Sequence, residues 1–253
     1  MNIEQKTVWM ISGNKGGVGK SLFCLALASA FDMREEHYAV LDGDGRTGDV
    51  YSSFTKKCPA RLADFRELRP DSHTCLLDEK YEMLLHQLLS SSPNLIVNTP
   101  DGADGILTKW FDVTLKHTEQ NNYRFKFIYL MSDRPDGLDI LPDLASRYSF
   151  LYPVRNLHFG PPSIFTVFNK TYFDKFNCVL DFPSLRSFEV RLLLDASIYP
   201  FEAITNRSIR INTLSRSRLL RWQNSVNEIL FDVMDVNEES NLMANKWPEV
   251  KDV

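Results

Sequence analysis

Cysteine is scarce in this sequence and carries no pattern. The four cysteines, Cys24, Cys58, Cys75 and Cys178, form no Cys-x-x-Cys pair, and none joins a histidine cluster with zinc-ligand spacing. This excludes a disulfide scaffold or a structural zinc site, and a reducing compartment is expected. Long apolar runs are also missing: none approaches the roughly 20 residues needed to cross a bilayer. From Met1 to Lys6 there is no hydrophobic signal core, so the expected location is the cytoplasm. Internal repeats and low-complexity tracts are absent. A net charge of −4 leaves the molecule as a whole without strong attraction for nucleic acid or acidic lipid.

What is present is an ordinary globular composition, 43% hydrophobic and 25% charged over 253 residues, enough for one large α/β domain. Strands are expected at Val8–Ile11, Tyr38–Asp42, Asn94–Asn98, Phe125–Met131, Ser163–Phe168 and Cys178–Phe182. They are apolar on both faces, as in a parallel sheet covered on both sides. Helices are expected at Lys20–Met33, Glu79–Leu89, Leu138–Tyr148 and about Ser215–Met234. The first is apolar around most of its surface, which marks a helix buried in a layered fold. Strand–helix alternation of this kind predicts a single doubly wound α/β domain, its sheet mainly parallel with helices on both faces. The domain is expected to span residues 1–234, with a polar tail over 235–253.

The first strand leads into Asn14-Lys15-Gly16-Gly17-Val18-Gly19-Lys20-Ser21, and Lys20-Ser21 opens a helix. Strand, glycine-rich turn and Lys-Ser in that order make a phosphate loop. Gly16, Gly17 and Gly19 lack side chains, so the backbone can curl with its N–H groups inward. The helix start adds its positive dipole end. Lys20 is then expected against the β- and γ-phosphates of a nucleotide, and the Ser21 hydroxyl on magnesium. ATP and Mg2+ are the expected cofactors.

The same residues resemble the deviant Walker A motif of the ParA/MinD superfamily of P-loop ATPases, a SIMIBI-like branch of the P-loop NTPases. Asn14 stands where the general pattern has glycine, and Lys15 is the superfamily's extra lysine. The resemblance implies that Lys15 reaches across a nucleotide-sandwich homodimer to the partner's phosphates, so that Lys15 and Lys20 both act in catalysis. Leu22 replaces a second hydroxyl residue and offers only its backbone N–H to the α-phosphate.

The resemblance extends to the acidic segments. Val40-Leu41-Asp42-Gly43-Asp44-Gly45 is similar to the superfamily's Asp-x-Asp, which implies that Asp44 stands near magnesium and positions the attacking water. Taken alone, the segment also fits a turn built from aspartate and glycine. Leu95-Ile96-Val97-Asn98-Thr99-Pro100-Asp101-Gly102 resembles the Walker B segment, with Asn98 in place of the metal-supporting aspartate. Binding is therefore expected, with slow hydrolysis. Asn169, read as ending a strand in Val167-Phe168-Asn169-Lys170, matches the asparagine that reads the adenine edge, or else simply ends the strand. The order of the later segments is most similar to plasmid conjugative-transfer and mobilisation ATPases of the TraL/MobD/StbC type.

The resemblance implies a switch: ATP closes a dimer, the dimer holds a protein partner, and hydrolysis triggered by that partner releases it. The setting implied is plasmid transfer, plasmid maintenance or the positioning of cellular cargo. The alternatives are a nucleotide-bound scaffold that does not hydrolyse, and an ATP-dependent ligase of the dethiobiotin or cobyrinate synthetase type. Arg216, Arg218 and Arg221 offer phosphate contacts for non-specific DNA. The competing reading is an amphipathic core helix whose arginines are solvated.

Overall fold

The structure, a computed structural model, describes residues 6–13, 15–65, 84, 87–101 and 123–236. Asn14, Cys75, most of the helix expected over 79–89 and the tail beyond 236 lie outside them. The strands are β1 (Lys6–Gly13), β2 (Tyr38–Asp42), β3 (Ala60–Leu62), β4 (Asn94–Asn98), β5 (Tyr123–Met131), β6 (Leu151–Asn156) and β7 (Leu180–Phe182). The helices are α1 (Lys20–Met33), α2 (Asp49–Phe54), α3 (Leu141–Arg147), α4 (Thr166–Thr171), α5 (Ser187–Asp195), α6 (Pro200–Thr205) and α7 (Thr213–Asp235). Among the described residues all seven strands join one sheet in the order β3-β2-β4-β1-β5-β6-β7, and every pairing is parallel.

The double-faced apolar strands explain the layers. Along β1, Trp9 and Ile11 point into one core, while Val8 and Met10 point into the other. Strand β2 divides in the same way, with Tyr38 and Val40 against Ala39 and Leu41. Helix α1 fills the first core together with α7, and its residues from Phe23 to Phe31 are all buried. A helix enclosed on all sides needs no polar face, which is why its apolar residues wrap around it. Burying each large side chain contributes about 1.5–3 kcal/mol. No helix among the described residues is long and apolar enough to cross a membrane.

The fold departs from expectation in three places. The run Ser163–Phe168 is not a strand: it forms a single 3-10 turn at Pro162–Ile164 and then α4. Phe165 and Phe168 are buried while Thr166 and Val167 are exposed, which is helical spacing rather than alternation. Strands β3 and β6 were not expected from the sequence. Pro153 and Arg155 interrupt the apolar run of β6, yet all six of its residues are buried. Pro153 lies just before the stretch of β6 that β7 pairs, where a missing N–H is tolerated.

The arginines of α7 also differ from expectation. Arg216 is only 8% exposed, and its guanidinium donates to the carbonyls of Ala203, Ile204, Asn206 and Ile209, gripping the C-terminal end of α6. Arg218 donates to the buried Glu189 carboxylate at 3.3 Å. These two are structural clamps, and only Arg221 of the expected three is exposed.

Candidate functional site

Strand β1 ends at Gly13 and α1 begins at Lys20, so the glycine-rich segment lies at the carboxyl edge of the sheet, in its middle. Gly17 and Gly19 have φ of +73° and +104°, a region closed to most side chains. A Cβ at Gly19 would sit 2.6 Å from the Asn156 Nδ2. No side chain caps the start of α1, so its first N–H groups face outward as an anion site. Val18 is wholly buried and fixes the loop from below, and its carbonyl accepts from Asn156 Nδ2 at 2.8 Å.

This loop floors a cavity of about 770 Å3, within the size range of small-ligand sites. Gly17, Gly19, Lys20, Ser21 and Leu22 line it from the loop, and Asp44, Asn98, Thr99 and Asp101 from the neighbouring strand ends. The far wall is Asn156, Leu185, Val190 and Leu194. Sequence reasoning missed that wall. Its signal was an asparagine ending a buried run, Val154-Arg155-Asn156, obscured by the proline and arginine within the run.

Asn169 stands elsewhere. It lies on α4, its Nδ2 donates to the Pro162 carbonyl at 2.8 Å, and its Oδ1 accepts from Arg155 at 2.9 Å. Arg155 is further held by Asp181, at 2.7 and 3.1 Å. Asn169 therefore belongs to a structural cluster beside the sheet and does not line the cavity. Asn156, at the end of β6, does line it. Its Oδ1 accepts from the His158 N–H at 2.9 Å, which leaves one amide N–H and one lone pair to spare.

Asp42 organises the turn after β2. One of its carboxylate oxygens accepts from the Asp44 N–H (3.1 Å) and Asn98 Nδ2 (2.9 Å), the other from the N–H groups of Val50 (3.1 Å) and Tyr51 (3.0 Å). Burial holds the Asp42 carboxyl above the usual carboxylate range, against the lowering effect of these hydrogen bonds. Asn98 is also buried, and its Oδ1 accepts a weak bond from the Cys24 thiol at 3.7 Å. Its amide is thus committed to Asp42 on one side and Cys24 on the other. Asp44 lines the cavity and accepts from the Arg46 N–H (3.3 Å) and the Thr47 hydroxyl (3.4 Å).

Lys20 is 7% exposed, and its ammonium meets Asp101 Oδ1 at 2.5 Å and the Lys15 carbonyl at 3.2 Å. Lys15 places its own ammonium 5.9 Å from the centre of the Phe159 ring. Among the described residues no group of three or more His, Cys, Asp or Glu is arranged to hold a metal. The Ser21 and Asp44 oxygens on one cavity nevertheless fit magnesium, which keeps several waters and takes few protein ligands beside phosphates.

No protein-family model matches the sequence. The chain is similar to protein MobD of Acidithiobacillus ferrooxidans, 22% identical over 167 residues, covering 65% of this chain and 69% of MobD. Among solved structures, it resembles the septum site-determining protein MinD of Pyrococcus horikoshii OT3 complexed with Mg-ADP. The TM-score is 0.53 at 12% identity, with 91% of this chain and 99% of that one covered. A nucleotide-binding protein of Archaeoglobus fulgidus in complex with ADP matches with a TM-score of 0.50 at 13% identity, over 76% and 86% of the two chains. The chain shares the fold of these two proteins.

Proposed function

We propose that this chain binds ATP with magnesium in the cavity above the β1–α1 loop and works as a dimeric ATPase switch of the ParA/MinD type. The observation that carries the reading is the loop itself. Uncapped N–H groups at the start of α1 and a buried lysine ammonium converge on one floor, a built site for a polyphosphate. Lys20 would neutralise the β- and γ-phosphates, and the Ser21 hydroxyl and Asp44 carboxylate would hold magnesium, which supplies charge neutralisation when bound. Asp44 would also orient the attacking water. The spare N–H and lone pair of Asn156 match the N6/N7 edge of adenine, so Asn156 takes the base-reading role in place of Asn169. The resemblance to MobD in sequence and to MinD in fold supports a role in plasmid mobilisation or the positioning of cellular cargo. A further protein would trigger hydrolysis.

A non-hydrolysing scaffold is the second reading, and one bond favours it. Asn98 stands at the Walker B position and is neutral, and its Nδ2 is bound to Asp42. An amide there gives magnesium's water shell less support than a carboxylate. Phosphate release measured with and without captured protein partners separates the two.

Loss of the Lys20 ammonium removes a charge-assisted contact worth roughly 1.5–3 kcal/mol. Lys20→Ala should therefore bind ATP about tenfold or more weakly in calorimetry. Affinity equal to wild type would place the nucleotide elsewhere or nowhere.

Dimerisation rests on Lys15. Two ATP–magnesium complexes facing each other across a two-fold axis repel, and a lysine from each subunit placed on the other's phosphates offsets that repulsion. Lys20 is committed within its own loop, whereas Lys15 is only partly buried against Phe159. Light scattering should show dimers with a non-hydrolysable ATP analogue, mostly monomers with ADP, and monomers of Lys15→Ala with either. A Lys15→Ala variant that dimerises like wild type sinks the sandwich arrangement.

A further inference from the structure

We infer that Asp101 is an internal occupant of the phosphate cradle, a carboxylate that holds Lys20 until the phosphates of a nucleotide displace it. The inference rests on the nucleotide site proposed above and adds a competitor to it. One carboxylate oxygen of Asp101 lies 2.5 Å from the Lys20 ammonium. The other is pressed against the loop backbone, where a Cβ at Gly16 would stand 2.5 Å from it. Asp101 lines the same cavity as Gly17, Gly19 and Lys20, so its carboxylate stands beside the ammonium that the anion of a ligand would need.

The two partners are unequally buried. The Lys20 side chain is 8% exposed and that of Asp101 is 58% exposed. A buried ammonium needs a counter-charge, since leaving it unpaired is strongly unfavourable. The exposed carboxylate can swing into water at little cost. Asp101 is brought there by its own segment. Both the backbone N–H and the hydroxyl of Thr99 donate to the Ile11 carbonyl, at 3.1 and 3.0 Å, tying the exit of β4 to the strand that feeds the loop. Two residues later, Asp101 lies above the turn.

Two consequences follow. Lys20 has a counter-charge within its own chain, so the loop's electrostatics do not depend on a ligand. Every anion that binds must also break the Lys20–Asp101 pair, which sets affinity below what the loop alone can give. That penalty is the same for each ligand, so a weakly charged one, such as inorganic phosphate, is excluded more readily than a nucleoside triphosphate.

The test is calorimetry of wild type, Asp101→Ala, Asp101→Asn, Lys20→Ala and the Lys20→Ala/Asp101→Ala double variant with ATP and with inorganic phosphate. Because Asp101 is half-exposed, the expected gain is modest: Asp101→Ala and Asp101→Asn should bind ATP roughly fivefold more tightly. In the Lys20→Ala background, removing Asp101 should give no gain, because there is no ammonium left to release. Unchanged or weaker ATP binding by both single variants overturns the inference, as does an equal gain with and without Lys20. If Lys20→Ala itself binds ATP like wild type, the failure belongs to the nucleotide site. If it loses binding while Asp101→Ala is unaltered, only the occupant role fails.

Discussion

Asn98→Asp should markedly destabilise the folded chain near pH 7.5 while leaving it close to wild type near pH 4. Asn98 donates from Nδ2 to Asp42 across 2.9 Å, in a place where both residues are buried. Aspartate there would set two carboxylates at hydrogen-bonding distance, and such a pair cannot both ionise. One proton must be retained. Burial already pushes Asp42 up, so the pair would hold that proton above the usual carboxylate range. The folded variant would bind one more proton than the unfolded chain. Its stability is therefore intact below the unfolded carboxylate pKa and is lost as pH rises through the raised folded value. Below that window, a protonated carboxyl can donate to Asp42 as the amide does. Urea midpoints at the two pH values measure the effect, and a gap that does not widen with pH rules out the shared-proton account.

Arg216→Met should cost a further large amount, about 3–5 kcal/mol, the range for breaking a buried charged network. Methionine keeps most of the length and volume, so packing is largely retained. What disappears are donors to four carbonyls, those of Ala203, Ile204, Asn206 and Ile209. These groups surround the negative end of α6, where a cation is favoured twice over, by the dipole and by hydrogen bonds. Arg216→Lys should recover only part of the loss, because an ammonium cannot reach four acceptors in the fork geometry of a guanidinium. Equilibrium urea unfolding is the measurement. A variant within about 1 kcal/mol of wild type would mean that water satisfies these carbonyls, and would return Arg216 to the solvated role read from the sequence.

The class of fold and the course of the glycine-rich loop were legible in the residue pattern. Apolar residues on both faces of Val8–Ile11 and Tyr38–Asp42 require a sheet covered twice, and the structure divides those residues between two cores. The loop from Lys15 to Ser21 was legible because its chemistry is local: glycines, a lysine and a helix start are contiguous in the chain, and the backbone conformation follows from the residue types. Tertiary structure alone decided which distant side chains meet that floor. Asn156 and Asn169 carry the same amide, but register in β6 brings one to the loop, while the helical turn of α4 spends the other on Arg155 and Pro162. Asn98 read as a weakened metal residue until its partner, Asp42, proved to be 56 positions away. Arg216 read as a surface charge because periodicity gives the face of a helix but not what closes over it. In each case the deciding contact spans strands or helices far apart in the chain, and its energy depends on burial that no local pattern records.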